Sequence, residues 1–190
     1  LRLGQKPVVG DIVEYELLDG HYGMQKILER KNQLRRPAIA NIDQAMIVMS
    51  AVDPAFSSIL VDKLIFLIEY EDIEPVIVIT KMDLVKDDDP VYEYIEDYRK
   101  SGYKVILSGH DFQLDDIKDA LRGKVTVLTG QSGVGKSTLL NKLDPEFAAA
   151  TQAISKALGR GKHTTRHTQL YPVNDGWLAD TPGFSSLDFS

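Results

Sequence analysis

Gly130-Gln131-Ser132-Gly133-Val134-Gly135-Lys136-Ser137 is the stretch on which the reading of this chain turns. Glycine, four residues, then Gly-Lys-Ser is the spacing of a phosphate-binding loop. Its flanks have the form such a loop requires. Lys124-Val125-Thr126-Val127-Leu128-Thr129 alternates and is rich in β-branched residues, so it reads as a strand. Thr138-Leu139-Leu140-Asn141-Lys142-Leu143 reads as the opening of a helix. Glycines let successive backbone N–H groups turn inward onto phosphate oxygens. The helix N-terminus adds the positive end of its dipole. On this reading Gly130, Gln131, Ser132, Gly133, Val134, Gly135 and Thr138 cradle the phosphates. Lys136 reaches the β- and γ-phosphates as the catalytic cation, and the Ser137 hydroxyl ligates Mg²⁺. The plainer alternative is a Gly-rich turn that binds nothing.

A phosphate-binding loop does not choose between ATP and GTP. Thr80-Lys81-Met82-Asp83 does, at the end of the apolar run Val76-Ile77-Val78-Ile79. It resembles the Asn/Thr-Lys-x-Asp motif of translation-factor-type GTPases. Asp83 would accept from guanine N1–H and the exocyclic amine, a donor pair that adenine lacks. The Lys81 stem would pack over the base. Thr80 stands where Asn is commoner, so one side-chain hydrogen bond is lost or rearranged. Ser108-Gly109-His110 follows a further strand, and Ser108 matches the loop that meets the guanine O6 edge. A third motif, Asp180-Thr181-Pro182-Gly183, follows Trp177-Leu178-Ala179. Asp-x-x-Gly suits a γ-phosphate sensor, with Asp180 holding the metal and the Gly183 N–H donating to phosphate. A Pro-containing β-turn is the alternative.

The order of these parts is rotated. The guanine motif precedes the phosphate loop, and Asp-x-x-Gly comes last. That order implies a circularly permuted GTPase domain, which a doubly wound sheet tolerates when its old termini lie close together. With Gly159-Arg160-Gly161-Lys162-His163-Thr164-Thr165-Arg166-His167 and Asp180-Thr181-Pro182-Gly183-Phe184, the rotated order resembles the RsgA (YjeQ/YloQ) family of circularly permuted bacterial GTPases. The resemblance implies GTP hydrolysis to GDP and phosphate, stimulated by the ribosome, in late maturation of the 30S small ribosomal subunit. It implies a partial OB-fold RNA-binding module over residues 1–36 and the permuted GTPase domain over 37–190. It also implies a zinc-binding domain after Ser190, so no zinc site is expected here. Thr164 or Thr165 would complete the Mg²⁺ shell. His163 would orient the attacking water, because Phe184 occupies the place of the usual glutamine. The partners so implied are guanine nucleotide, the small subunit and its rRNA, with a cytoplasmic monomer and no membrane. A GTP-dependent binding module with incidental hydrolysis is the alternative function.

The remaining pattern fits an α/β fold, a mostly parallel sheet with helices on both faces. Strands are expected near 11–16, 23–28, 43–52, 76–80, 104–107, 124–129 and 177–179. Helices are expected near 57–72, 92–100, 114–121 and from 138. Residues 144–170 lack hydrophobic periodicity and read as a switch segment. Pro37-Ala38 reads as the start of a linker. Lys26, Arg30, Lys31, Arg35 and Arg36 form either an RNA-facing edge or a solvated face. The net charge of −6 argues against a general nucleic-acid coat. Residues 53–98 carry thirteen acidic and three basic side chains, whereas 151–170 carry Lys156, Arg160, Lys162 and Arg166 with no acid. That basic stretch suits rRNA or a triphosphate equally. There is no cysteine, so disulfides and thiolate metal sites are excluded within these residues.

Overall fold

A computed structural model of the chain describes residues 4–35, 38–110, 114–131, 133–144 and 169–180, with Ser137 and Asp180 described by their backbone. The chain opens with an antiparallel pair, β1 (Val13–Leu18) and β2 (His21–Ile27), joined through Asp19 and Gly20 in the left-handed region. A two-residue pair follows, β3 (Gln33–Leu34) and β4 (Ile39–Ala40). Ala38 therefore leads straight into a buried strand rather than a free linker, and Pro37 lies outside the described residues.

The strand β5 (Gln44–Ser50) is buried along its whole length, as a central parallel strand must be. α1 (Ser58–Tyr70) is capped by Ser57, whose Oγ accepts from the Leu60 N–H at 3.4 Å. β6 (Glu74–Thr80), α2 (Val91–Lys100), β7 (Lys104–Leu107), α3 (Asp115–Leu121), β8 (Val125–Thr129) and α4 (Lys136–Leu143) then alternate. β9 (Gln169–Val173) and β10 (Gly176–Asp180) close the described chain as a hairpin. β9 corrects the sequence reading, which carried the switch segment to residue 170.

Six strands form one sheet in the order β7-β6-β5-β8-β10-β9. All its pairings are parallel except β9 with β10. Alternate side chains of each strand feed two cores. Ile47, Met49, Ile77, Ile79 and Val105 meet Val61, Leu64, Ile65 and Ile68 of α1 and Val91, Ile95 and Tyr98 of α2. Met46, Val48, Val76, Val78 and Ile106 meet Ile117, Ala120 and Leu121 of α3 and Leu139 of α4. Helices thus cover both faces, and the first core also takes in Leu34, Ile39 and Ile42 from the preceding segment.

Candidate nucleotide site

In a parallel sheet the strands end together, so the loops that follow them share one edge. Ser50 aligns with Thr80, and Ile79 with Leu107. The loops after β5, β6, β7 and β8 therefore meet at one rim. The structure brings to it the phosphate loop after β8, the guanine motif after β6 and Ser108 after β7. β10 runs parallel beside β8 and ends at Asp180, so the backbone of the third motif begins at the same rim.

The phosphate loop is fixed by close approach. Gly130 has φ +136, and a Cβ there would stand 2.0 Å from the Val48 carbonyl oxygen of β5. Only glycine fits. Gly135 has φ +95 at the position before α4, and its carbonyl accepts from the Leu139 N–H at 2.8 Å. Val134 is buried in the second core and pins the loop. Gln131, Gly133 and Thr138 lie at the surface. Lys136 Nζ donates to the carbonyls of Gly130 and Gln131 at 2.6 Å each, which folds the cation across the loop. Burial pulls its pKa down from the ordinary 10.5, because an ammonium loses hydration there.

Thr80 explains its own departure from asparagine. It is buried, and its Oγ1 donates to the carbonyl of Val134 in the phosphate loop, with the Met49 carbonyl 3.2 Å away. The Ala51 N–H donates to the Thr80 carbonyl at 3.0 Å. Thr80 thus ties the two loops together through its side chain. Lys81 holds a left-handed backbone, φ +61, which turns the chain into a short 3₁₀ turn, Met82–Leu84. Asp83 is exposed on that turn, while Met82 is buried and its N–H donates to the Ser108 carbonyl at 3.1 Å. Ser108 is buried, and its N–H donates to the Ile79 carbonyl at 2.8 Å. The segments holding Asp83 and Ser108 are therefore hydrogen-bonded to each other.

The sequence reading missed the loop after β5. Lys81 Nζ donates to the Asp53 carbonyl, and Pro54 lies beside Gly133, its Cδ 3.9 Å from where a Cβ would stand. The signal available was position alone, since the loop follows a strand that the sheet places between β6 and β8.

Ser132, His163, Thr164, Thr165 and Gly183 lie outside the described residues, as do His167 and Phe184. Among the described residues, no group of three or more His, Cys, Asp or Glu could hold a metal ion. A magnesium ion held by hydroxyls, a single carboxylate and phosphate oxygens does not need such a group. No helix among the described residues is long and apolar enough to cross a membrane.

The sequence profile of the family described as RsgA GTPase matches residues 27–190. The small ribosomal subunit biogenesis GTPase RsgA of Bacillus subtilis strain 168 is 50% identical over 190 residues, covering 97% of this chain and 64% of that protein. RsgA 2 of Oceanobacillus iheyensis is 50% identical over 188 residues, covering 96% and 64%. Among solved structures, YloQ, a circularly permuted GTPase, superposes with a TM-score of 0.78 at 43% identity, covering 97% of this chain and 60% of that one. YjeQ from Thermotoga maritima gives 0.77 at 34% identity, covering 97% and 64%. The chain thus spans about 64% of the length of these curated relatives.

Proposed function

The chain belongs to the RsgA GTPase family, and on that premise we propose that it hydrolyses GTP to GDP and phosphate, as a switch in the maturation of the small ribosomal subunit. The observation that carries this reading is the meeting of a phosphate loop and a guanine-type loop at one rim, joined through the Thr80 hydroxyl.

The guanine base is read by Asp83, which accepts its N1–H and amine, with the Lys81 stem along the base plane. Ser108 flanks the O6 edge. Phosphates lie on the N–H groups of 130–135 and on the N-terminus of α4, with Ser132 and Thr138 at the margin. Lys136 turns from the Gly130 and Gln131 carbonyls to the β- and γ-oxygens, where it neutralises charge that grows as the γ-phosphoryl leaves. Magnesium, held by Ser137, by Asp180 and by Thr164 or Thr165, would supply the rest of that neutralisation. The Gly183 N–H donates to the γ-phosphate, and His163 positions the attacking water. Residues 37–190 are read as the GTPase domain, and 1–36 as part of an OB-fold module that faces rRNA. Support for the module comes from the pairing of β1 with β2 and from exposed Tyr15 and Tyr22, whose rings meet edge-on at 5.2 Å. Arg30 and Lys31 pair with Asp11 and Asp43, so among the described residues the RNA-facing charge falls to Lys26 and Arg35, with Arg36 outside them. The protein acts as a cytoplasmic monomer.

The test is phosphate release from GTP with and without purified small ribosomal subunits, with ATP as the control nucleotide. Stimulated turnover of GTP alone is expected. Turnover of ATP, or an Asp83→Asn variant that does not shift toward xanthosine triphosphate, would overturn the base reading. Subunits that neither bind nor stimulate the full-length protein would overturn the partner.

A further inference from the structure

α1 buries one face and leaves another bare. Ile59, Phe66 and Tyr70 are 82%, 67% and 75% exposed. Their spacing of seven and four residues puts them on one stripe of the helix, with Lys63 between them. Phe66 and Tyr70 stack, their ring centroids 6.5 Å apart. An exposed stripe of this kind marks a contact surface when it is rimmed by ordered polar groups.

The rim is acidic and held in place. Tyr98 Oη donates to Asp62 Oδ1 at 2.6 Å, and Tyr103 Oη donates to Glu69 Oε1 at 3.2 Å. Among the described residues, neither carboxylate pairs with a cation. The segment around the stripe, residues 53–98, has thirteen acidic against three basic side chains. Two tyrosines thus fix two carboxylates beside an apolar stripe, and among the described residues no cation forms an ion pair with either.

We infer that the α1 stripe Ile59-Phe66-Tyr70, with Asp62 and Glu69, docks a cationic amphipathic protein segment, a short helix bearing apolar anchors on one side and Lys or Arg on the flank. Its apolar residues would cover Phe66 and Tyr70, and its cations would meet the two carboxylates. Charge decides against the other occupants. RNA would bring phosphates against Asp62 and Glu69. A second copy of the chain docked through the same stripe would set carboxylates against carboxylates.

The test uses a synthetic Leu/Lys amphipathic peptide of about 18 residues, five turns of helix, a Leu/Glu peptide of the same pattern, and a short duplex RNA. Binding is followed by fluorescence anisotropy and mapped by hydrogen exchange. The Leu/Lys peptide is expected to bind and to protect residues 58–70, whereas the other two do not. A double variant, Phe66→Ser with Tyr70→Ser, is expected to weaken binding about tenfold or more without changing basal nucleotide turnover, since both side chains are at the surface. Lys63→Glu should strengthen binding, a change of sign that a merely structural role would not give. Equal binding of the Leu/Glu peptide or the RNA would overturn the inference. So would binding that is indifferent to the double variant, self-association through α1, or a full-length protein in which the Leu/Lys peptide adds no protection at 58–70.

Discussion

Thr80 joins two loops of the rim through one hydroxyl. A hydroxyl carries one hydrogen, so it donates to the Val134 carbonyl or to the Met49 carbonyl, not to both. Val134 is the closer, and that bond crosses from the guanine motif to the phosphate loop. Thr80→Val keeps the shape and leaves the Val134 carbonyl buried without its donor, a loss of about 1–2 kcal/mol. The expected result is guanine-nucleotide affinity lowered about tenfold in a fluorescent-nucleotide titration, with Thr80→Ser restoring most of it. Affinity unchanged in Thr80→Val would mean that the two loops hold their places independently. At Gly130 the expected loss is larger. A methyl 2.0 Å from the Val48 oxygen must displace backbone on one side or the other. Gly130→Ala should abolish nucleotide binding and lower the urea midpoint, at a cost of about 2 kcal/mol or more. The phosphate-loop residues were legible in the sequence because their chemistry is written as spacing. The brace made by Thr80 was not, because it depends on which strands become neighbours.

Elements were legible in proportion to their periodicity. β5, β6, β7 and β8 and helices α1 to α3 lie within a few residues of their expected places, since each combines apolar spacing with a turn or cap. β9 carries Pro172 and a mixed composition, which a central strand would not tolerate, and it survives because it is an edge strand. Its partner turn was available to be read: Asn174 and Asp175 both take positive φ before Gly176, the backbone of a tight hairpin. β3 and β4, two residues each, are too short for any period to show. They depend on a latch outside themselves. Arg30 Nε donates to Asp11 Oδ1 at 2.6 Å and its Nη2 to Oδ2 at 2.8 Å, while Nη1 reaches Gln33 Oε1 and Nη2 the Lys6 carbonyl. The Asp11 side chain is 4% exposed and that of Arg30 13%. The Arg30 hydrogen bonds hold the Asp11 carboxyl below its ordinary 3.8, against the opposing effect of burial. A carboxyl depressed in the folded state stabilises fully above its ordinary value and loses that contribution as pH falls through the depressed one. The N-terminal strands should therefore loosen in acid before the sheet does. Amide exchange at Leu28, whose N–H donates to the Ile12 carbonyl at 2.8 Å, reports it. Protection there, measured against the intrinsic exchange rate at each pH, should fall below about pH 4, and Asp11→Asn should give the lower protection at neutral pH and remove that acid step. An acid step that persists in Asp11→Asn would place its origin in another group.

At the scale of the molecule, the question is whether the early strands and the parallel sheet fold as one unit. The sequence divides them near residue 36, where composition turns basic and a proline follows. Their packing joins them. Leu34, Ile39 and Ile42 belong to the same buried cluster as β5, β6, α1 and α2. Asn32 stands at the seam, nearly buried, with every polar atom of its side chain used. Its Nδ2 donates to the Ile42 carbonyl at 2.8 Å and the Asp72 carbonyl at 3.1 Å, and its Oδ1 accepts from the Ile42 N–H at 2.8 Å. One side chain thus holds the entry to β5 and the turn that leads from α1 toward β6. Asn32→Ala strips buried Ile42 of partners for both its N–H and its carbonyl, at about 1–3 kcal/mol for each group left unpaired. The chain has one tryptophan, Trp177, on β10 at the far side of the sheet. If the seam makes one cooperative unit, Asn32→Ala shifts the urea midpoint of Trp177 fluorescence by the same amount as that of far-ultraviolet circular dichroism. If residues before the seam fold apart from the sheet, the dichroism transition broadens or splits while Trp177 keeps the midpoint of the unsubstituted chain. Coincident shifts are expected, because the bonds lost at Asn32 hold the approach to the central strand and the turn before β6, not the surface of a neighbouring module.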